Sequence, residues 1–305
     1  MEHYRQIQTK SDLYRRIGRR AGGAFFALTA LTFGAQLAAE LGLSLLAPQL
    51  TEYPLWLTWV LSFLPLYGVA FPVFITLLQP LPGIRPPRQK VKAGWLLGTV
   101  CAAFALMYAG ALVGNGLNWL IGWLRGQPVL SGLEQIVSAA PVWQLVLFTC
   151  VLAPVGEEIT FNYLLEKTLV FGEKRAMLYC ALAFGLFHGN LYQFFYAFAV
   201  RLILVQLRLR TGSLGLCIGL HALINLMGGV VAQWLLGQSE QVMMVYGILL
   251  LMVMVAGWMV LANRRGKRYA AGRPGAQARW LFAAPGTVLA WLCCGVLFVL
   301  SVVKM

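Results

Sequence analysis

Five side chains in this sequence have types and spacings that can do chemistry: the adjacent pair Glu157 and Glu158, then His188, His221 and Asn225. Phe184 and His188 are four residues apart, as are His221 and Asn225, so in a helix each pair shares a face. A carboxylate can take a proton from water, an imidazole can accept or donate one, and a carboxamide can donate to a developing oxyanion. These are the parts of a hydrolysis that runs through an activated water. Glu157, His188 and His221 would also make a His₂Glu zinc site with water as fourth ligand. No His-Glu-x-x-His helix is present, and the residues leave zinc and metal-free glutamate-activated water both open. Two neighbouring carboxylates at low dielectric are not expected to be charged together, which divides them into a base and a paired or protonated neighbour.

The elements that must position these groups are apolar. Of 305 residues 60% are hydrophobic and only 11% charged, with a mean hydropathy of +0.74. A soluble domain carries about 25% charged residues, so a soluble enzyme, a nucleic-acid-binding domain and a disordered chain are excluded. Nine apolar segments stand out, at 21–48, 55–78, 93–124, 141–165, 176–189, 191–209, 213–236, 242–262 and 281–303. Most have the about 20 residues needed to cross a bilayer. The run after the basic N-terminus is too long for a cleavable signal. The six cysteines all lie within apolar stretches and read as buried free thiols.

The net charge of +14 is explained by where the basic residues fall. With the N-terminus inside, 21 of the 24 lie in cytoplasmic segments, two in outer ones, and Arg201 within a span. The positive-inside rule expects such a bias. Most of the ten tryptophans fall near span ends, as an interfacial belt does. The expected fold is therefore all-α: a polytopic transmembrane bundle of eight or nine spans with a cytoplasmic N-terminus. A basic tail at 1–20 precedes a single membrane-embedded domain at 21–303.

Ionisable groups within spans are costly and are functional candidates by default. Here they are Glu40, Glu157, Glu158, His188, Arg201 and His221. Glu40 reads as structural, near the outer end of its span, and Phe184 as packing. Pro154 predicts a kink just before the two glutamates, able to admit water. At about 1.5 Å per residue, Glu157, His188 and His221 lie roughly 12, 20 and 15 Å from the cytoplasmic ends of their spans, compatible with one site open to the cytoplasm.

In order along the chain, Glu157-Glu158-Ile159-Thr160-Phe161-Asn162, Phe184-x-x-x-His188 and His221-x-x-x-Asn225 resemble the motifs of the CPBP family of intramembrane proteases. This is also called the Abi or CAAX-protease family, and its eukaryotic relatives are the Ras-converting endopeptidases. The stretch Leu209-Arg210-Thr211-Gly212-Ser213-Leu214 also looks like the family. The resemblance covers roughly residues 142–230. It implies an intramembrane endopeptidase of the plasma (inner) membrane, its site toward the cytoplasm. The implied substrate is a membrane-associated peptide or lipidated protein, such as a CAAX-like C-terminus or a leader or bacteriocin-type peptide. The implied partner is the lipid bilayer, with no nucleic acid. By the same resemblance Glu157, helped by His188, would deprotonate water, His221 and Asn225 would stabilise the oxyanion, and Glu158 would orient the set. The family is commonly labelled a metalloprotease.

One position departs from the pattern. Asn162 stands where the family has an arginine, at the i+4 spacing for an ion pair with Glu158. An amide cannot neutralise a carboxylate, and an unpaired charge at this depth costs several kcal/mol. Arg201 is the expected substitute cation. Loss of the arginine also raises the alternative of a non-catalytic membrane scaffold or a bacteriocin-immunity or regulatory protein on the same fold. A transporter using Glu157, Glu158 and Arg201 as a relay would call for an inverted repeat, and none is visible.

Overall fold

The computed structural model describes residues 2–46, 54–129, 136, 138–263 and 276–303, with side chains from Ser11 onward. All regular structure among them is helical: α1 (Glu2–Leu46), α2 (Leu55–Leu78), α3 (Ala93–Arg125), α4 (Val142–Phe171), α5 (Glu173–Phe187), α6 (Leu191–Thr211), α7 (Leu214–Leu235), α8 (Glu240–Asn263) and α9 (Pro285–Val303). A one-turn helix, Arg279–Phe282, precedes α9. The basic stretch after α8 falls mostly at 264–275, outside the described residues.

Seven of these helices are long and apolar enough to cross a membrane: α1 from Ser11, then α2, α3, α4, α7, α8 and α9. The chain is an integral membrane protein. The sequence leads to an expectation of eight or nine spans, and seven helices among the described residues have the length and hydropathy of one. The apolar segments at 176–189 and 191–209 account for the difference. α5 has 15 residues, short of the about 20 that a bilayer requires. α6 has 21 residues but carries Arg201, Arg208 and Arg210.

The chain divides into two compact units. The first comprises Met1–Ile84, Tyr163–Tyr179 and Ala270–Leu297. Within it α1 packs on α2 and on the one-turn helix. The second comprises Arg85–Asn162, Cys180–Tyr269 and Phe298–Met305 and contains every residue of the candidate site. Here α3 is the common neighbour of α6 and α8. In lipid, helices associate through close van der Waals packing, which small residues permit. Gly110 and Gly114 of α3 meet α6 backbone to backbone: a Cβ on Gly110 would lie 2.5 Å from Tyr196 Cα, and one on Gly114 2.8 Å from the Tyr192 carbonyl oxygen. Gly257 of α8 lets the Cys101 carbonyl of α3 approach in the same way. Around these contacts Ala102, Phe104, Met107, Leu204, Leu220 and Ile224 form a buried core.

Two of the helices that carry site residues are interrupted by wider π turns, at Leu145–Leu152 in α4 and Leu226–Val231 in α7. In α4 the cause is visible in the sequence. Ala153 N–H donates to the Phe148 carbonyl, one residue beyond the α register. Continued in this π register, the Thr149 carbonyl meets residue 154, which is proline and has no N–H. The kink expected at Pro154 therefore takes the form of a π insertion that leaves one carbonyl without a main-chain donor.

Candidate active site

Glu157 and Glu158 lie one turn after the π segment of α4, and the two point into different surroundings. Glu158 is fully buried and both of its carboxylate oxygens are engaged. Arg201 Nη1 donates to its Oε2 at 2.8 Å, and both side chains are 0% exposed. Asn162 Nδ2, one turn along α4, donates to the same oxygen at 2.8 Å and to the Glu158 carbonyl at 2.7 Å. His221 Nδ1 lies 3.0 Å from the other oxygen, Oε1, so that nitrogen carries the hydrogen and donates it. The charge that the sequence leaves without its i+4 arginine is thus held by Arg201 from α6. Asn162 adds a hydrogen bond and no charge.

Glu157 is the contrasting neighbour. Its side chain is 17% exposed, and its nearest recorded partner is His221 Nε2, 3.7 Å from Oε2 and beyond hydrogen-bond length. His221 therefore sits between the two carboxylates, Nδ1 fixed by Glu158 and Nε2 turned toward Glu157.

His188 opens the three-residue break between α5 and α6. Gly189 there has φ +68°, in the left-handed region that glycine enters without a steric penalty. Asn190 caps α6 by accepting from Gln193 N at 2.8 Å, and its Nδ2 donates to the His188 carbonyl at 2.8 Å. The ring is fixed from the other side: Nδ1 donates to the Phe184 carbonyl at 2.8 Å, so Nε2 of the neutral ring is an acceptor. Phe184 is more than filler. Its ring makes edge contacts with both imidazoles, at 4.9 Å to His188 and 5.8 Å to His221, and Arg201 lies 5.8 Å above it. Phe161 meets Phe184 edge-on at 5.0 Å, which closes the apolar floor.

Asn225 is engaged elsewhere. Its Nδ2 donates at 2.7 Å to the Thr149 carbonyl, the group left open by the π turn before Pro154. One hydrogen on Nδ2 remains. The structure thus gathers Glu157, Glu158, Asn162, Phe184, His188, Arg201 and His221 around one point. It joins Asn225 to them through α4 rather than through a direct bond to His221. Glu40 is exposed near the end of α1. Sequence reasoning missed Thr149 and Asn190. Asn190 carried a readable signal, since Asn after Gly at a helix start is a cap.

The zinc set that the sequence leaves open does not fit. Among the described residues no three His, Cys, Asp or Glu side chains come together as metal ligands do. Both nitrogens of His221 face carboxylates, and His188 Nδ1 is committed to a carbonyl. The metalloprotease label is therefore not supported, and no step below passes through a metal.

Residues 139–227 match the family model described as type II CAAX prenyl endopeptidase Rce1-like. That segment belongs to the CAAX-protease family. The Rce1-like region runs from just before α4 into the π turn of α7, so it holds all five candidate catalytic residues and Arg201. No curated protein and no solved structure matches the chain.

Proposed function

We propose that the chain is an intramembrane endopeptidase that cuts a membrane-associated peptide, with a prenylated CAAX-type C-terminus as its substrate class and Glu157 as the base that activates water. The observation that carries this reading is the asymmetry of the glutamate pair. Glu158 has its two oxygens filled by Arg201, Asn162 and His221, while Glu157 makes no hydrogen bond among the described residues and keeps partial exposure.

In the mechanism Glu157 takes the proton of the attacking water, and the acceptor Nε2 of His188 helps to hold that water in line. The resulting hydroxide adds to the scissile carbonyl. Asn225, through the remaining hydrogen on Nδ2, and His221, when protonated at both nitrogens, donate to the oxyanion. Loss of one such donor costs about 10²–10³ in rate. Collapse of the tetrahedral intermediate breaks the C–N bond, and Glu157 returns to the leaving amine the proton it took from water. Glu158 is a positioning residue: by accepting from Nδ1 it sets the His221 ring and turns Nε2 toward the reacting atoms. The site opens toward the cytoplasm, where prenylated C-termini reside.

The scaffold reading rested on the missing arginine. Arg201 at 2.8 Å from Glu158 removes that argument. The test is cleavage of a farnesylated C-terminal peptide by the purified full chain in proteoliposomes, read by mass spectrometry. Glu157→Gln should slow cleavage by about 10²–10⁴-fold, the usual worth of a positioned base. Its unfolding midpoint should stay unchanged, because the side chain holds nothing in place. A Glu157→Gln protein cleaving within tenfold of wild type would end the proposal.

A further inference from the structure

The charge at the start of α1 is gathered on one face. Asp12, Arg15 and Arg19 are three and four residues apart, hence neighbours on the helix surface. The adjoining strip of α1 meets the segment before α9 at unusually short range because Gly18 and Gly22 lack side chains. A Cβ on Gly18 would overlap the Trp280 carbonyl oxygen, and one on Gly22, against the first turn of α9, would lie 2.5 Å from the Thr287 nitrogen. This contact brings Arg279 to Arg15 and Arg19 around a cleft of about 300 Å³, completed by Asp12, Trp280 and Pro285.

Three guanidinium groups and one carboxylate give the cleft a formal balance of +2. Asp12 does not neutralise its neighbours: the side chains of Asp12, Arg19 and Arg279 make no hydrogen bond or ion pair among the described residues. Arg15 lies over the Trp280 ring at 5.5 Å, and that ring is in turn stacked on Tyr14 at 6.1 Å. Converging like charges repel unless an anion sits between them. The planar guanidinium fork matches a phosphate group. Pro285 opens the 19-residue α9, so the positive end of that helix dipole adds to the field. A tryptophan beside the arginines suits the headgroup level of a bilayer. The basic residues here also belong to the two segments that charge bias assigns to the cytoplasmic side, where anionic lipids attract them.

We propose that this cleft is a binding site for a phosphate group, supplied by the headgroup of an anionic phospholipid of the cytoplasmic leaflet. The cleft holds a glycerophosphate headgroup and leaves the acyl chains along the apolar surface of α1. This site is independent of the proposed peptidase chemistry.

The experiment uses the full chain in a neutral detergent, with native mass spectrometry titrating phosphatidylglycerol, phosphatidylcholine and inorganic phosphate separately. Phosphatidylglycerol should bind and phosphatidylcholine should not. The double variant Arg19→Gln, Arg279→Gln should weaken phosphatidylglycerol binding about 25-fold, at about fivefold per arginine near a surface. Asp12→Asn should tighten it severalfold. Both arginines are exposed, so the double variant should unfold as wild type does. A control that removes equal charge elsewhere, Arg88→Gln with Lys90→Gln, should leave binding within twofold. Equal loss in the control would show diffuse charge attraction and overturn the site. So would unchanged binding in the double variant. Micromolar binding of inorganic phosphate that the double variant loses would transfer the cleft to a soluble phosphate and overturn the lipid assignment.

Discussion

Removing Arg201 should expose how strongly the buried pair is coupled. In Arg201→Met the Glu158 carboxylate, 0% exposed, loses its cation and keeps two donors, Asn162 Nδ2 and His221 Nδ1. Stripping one partner from a buried ion pair typically costs about 3–5 kcal/mol. Two features pull the value to the lower end. The remaining donors soften the loss. Methionine also removes Arg201 Nε and Nη2, which are buried without hydrogen-bond partners among the described residues. The expected destabilisation is therefore about 2–3 kcal/mol. Glu158→Gln together with Arg201→Met removes both charges and should return to within about 1 kcal/mol of wild type, since replacing a whole buried pair is often neutral. Glu158→Gln alone strands the buried guanidinium and should cost at least about as much as Arg201→Met, so the cycle gives a coupling of at least about 3 kcal/mol. A third protein, Arg201→Ala with Asn162→Arg, moves the cation to the family position. Asn162 already touches Glu158 Oε2 at 2.8 Å, and the shortened residue 201 frees the space, so at least half of the stability should return. The assay is equilibrium unfolding in mixed micelles followed by circular dichroism. An Arg201→Met loss below about 0.5 kcal/mol, or failure of Asn162→Arg to rescue, would refute the claim that Arg201 stands in for the family arginine.

Other consequences are open to simpler measurements. Pro154→Ala supplies an N–H that competes for the Thr149 carbonyl, so it should release Asn225 and lower kcat about tenfold with little change in KM, read by initial rates. Asn190→Ala removes the cap of α6 and a bond to the His188 carbonyl; a stability loss of about 1 kcal/mol is expected by thermal unfolding, with reduced turnover. Gly110→Ala forces a methyl against the Tyr196 backbone and should cost about 1–3 kcal/mol in the same measurement. Dialysis against a zinc chelator should leave peptide cleavage unchanged, because Glu157, His188 and His221 are not disposed as ligands; loss of activity that returns on adding zinc would reverse that assignment.

Much of the site was legible because it rests on ionisable groups, which stand out in an apolar chain. Glu157, Glu158, His188, His221 and Arg201 could be found by their cost alone. What the sequence did not disclose was which partner each atom takes. The spacing of Asn225 from His221 suggested a pair acting together. Its bond instead goes to Thr149, because a π turn before Pro154 freed a carbonyl on another helix. A π insertion has no composition signature, so only the proline hinted at it. The expected span count and the seven candidates differ for a related reason. α5 and α6 are apolar enough to look like spans when read by segment, yet one is short and the other carries three arginines. Gly110 and Gly114 have the spacing of a small-residue packing face, but nothing in one sequence says that α6 is what it receives.

The two imidazoles differ in how the chain holds them. His221 is embedded in the interior of α7, so any change in its aim would have to carry a whole rod along. His188 sits in a short bend centred on a left-handed glycine, where a small backbone rotation can redirect the ring while both flanking helices stay intact. One ring acts as a fixed reference and the other as an adjustable arm. Whatever reshaping accompanies substrate entry should therefore register first at residues 188–190.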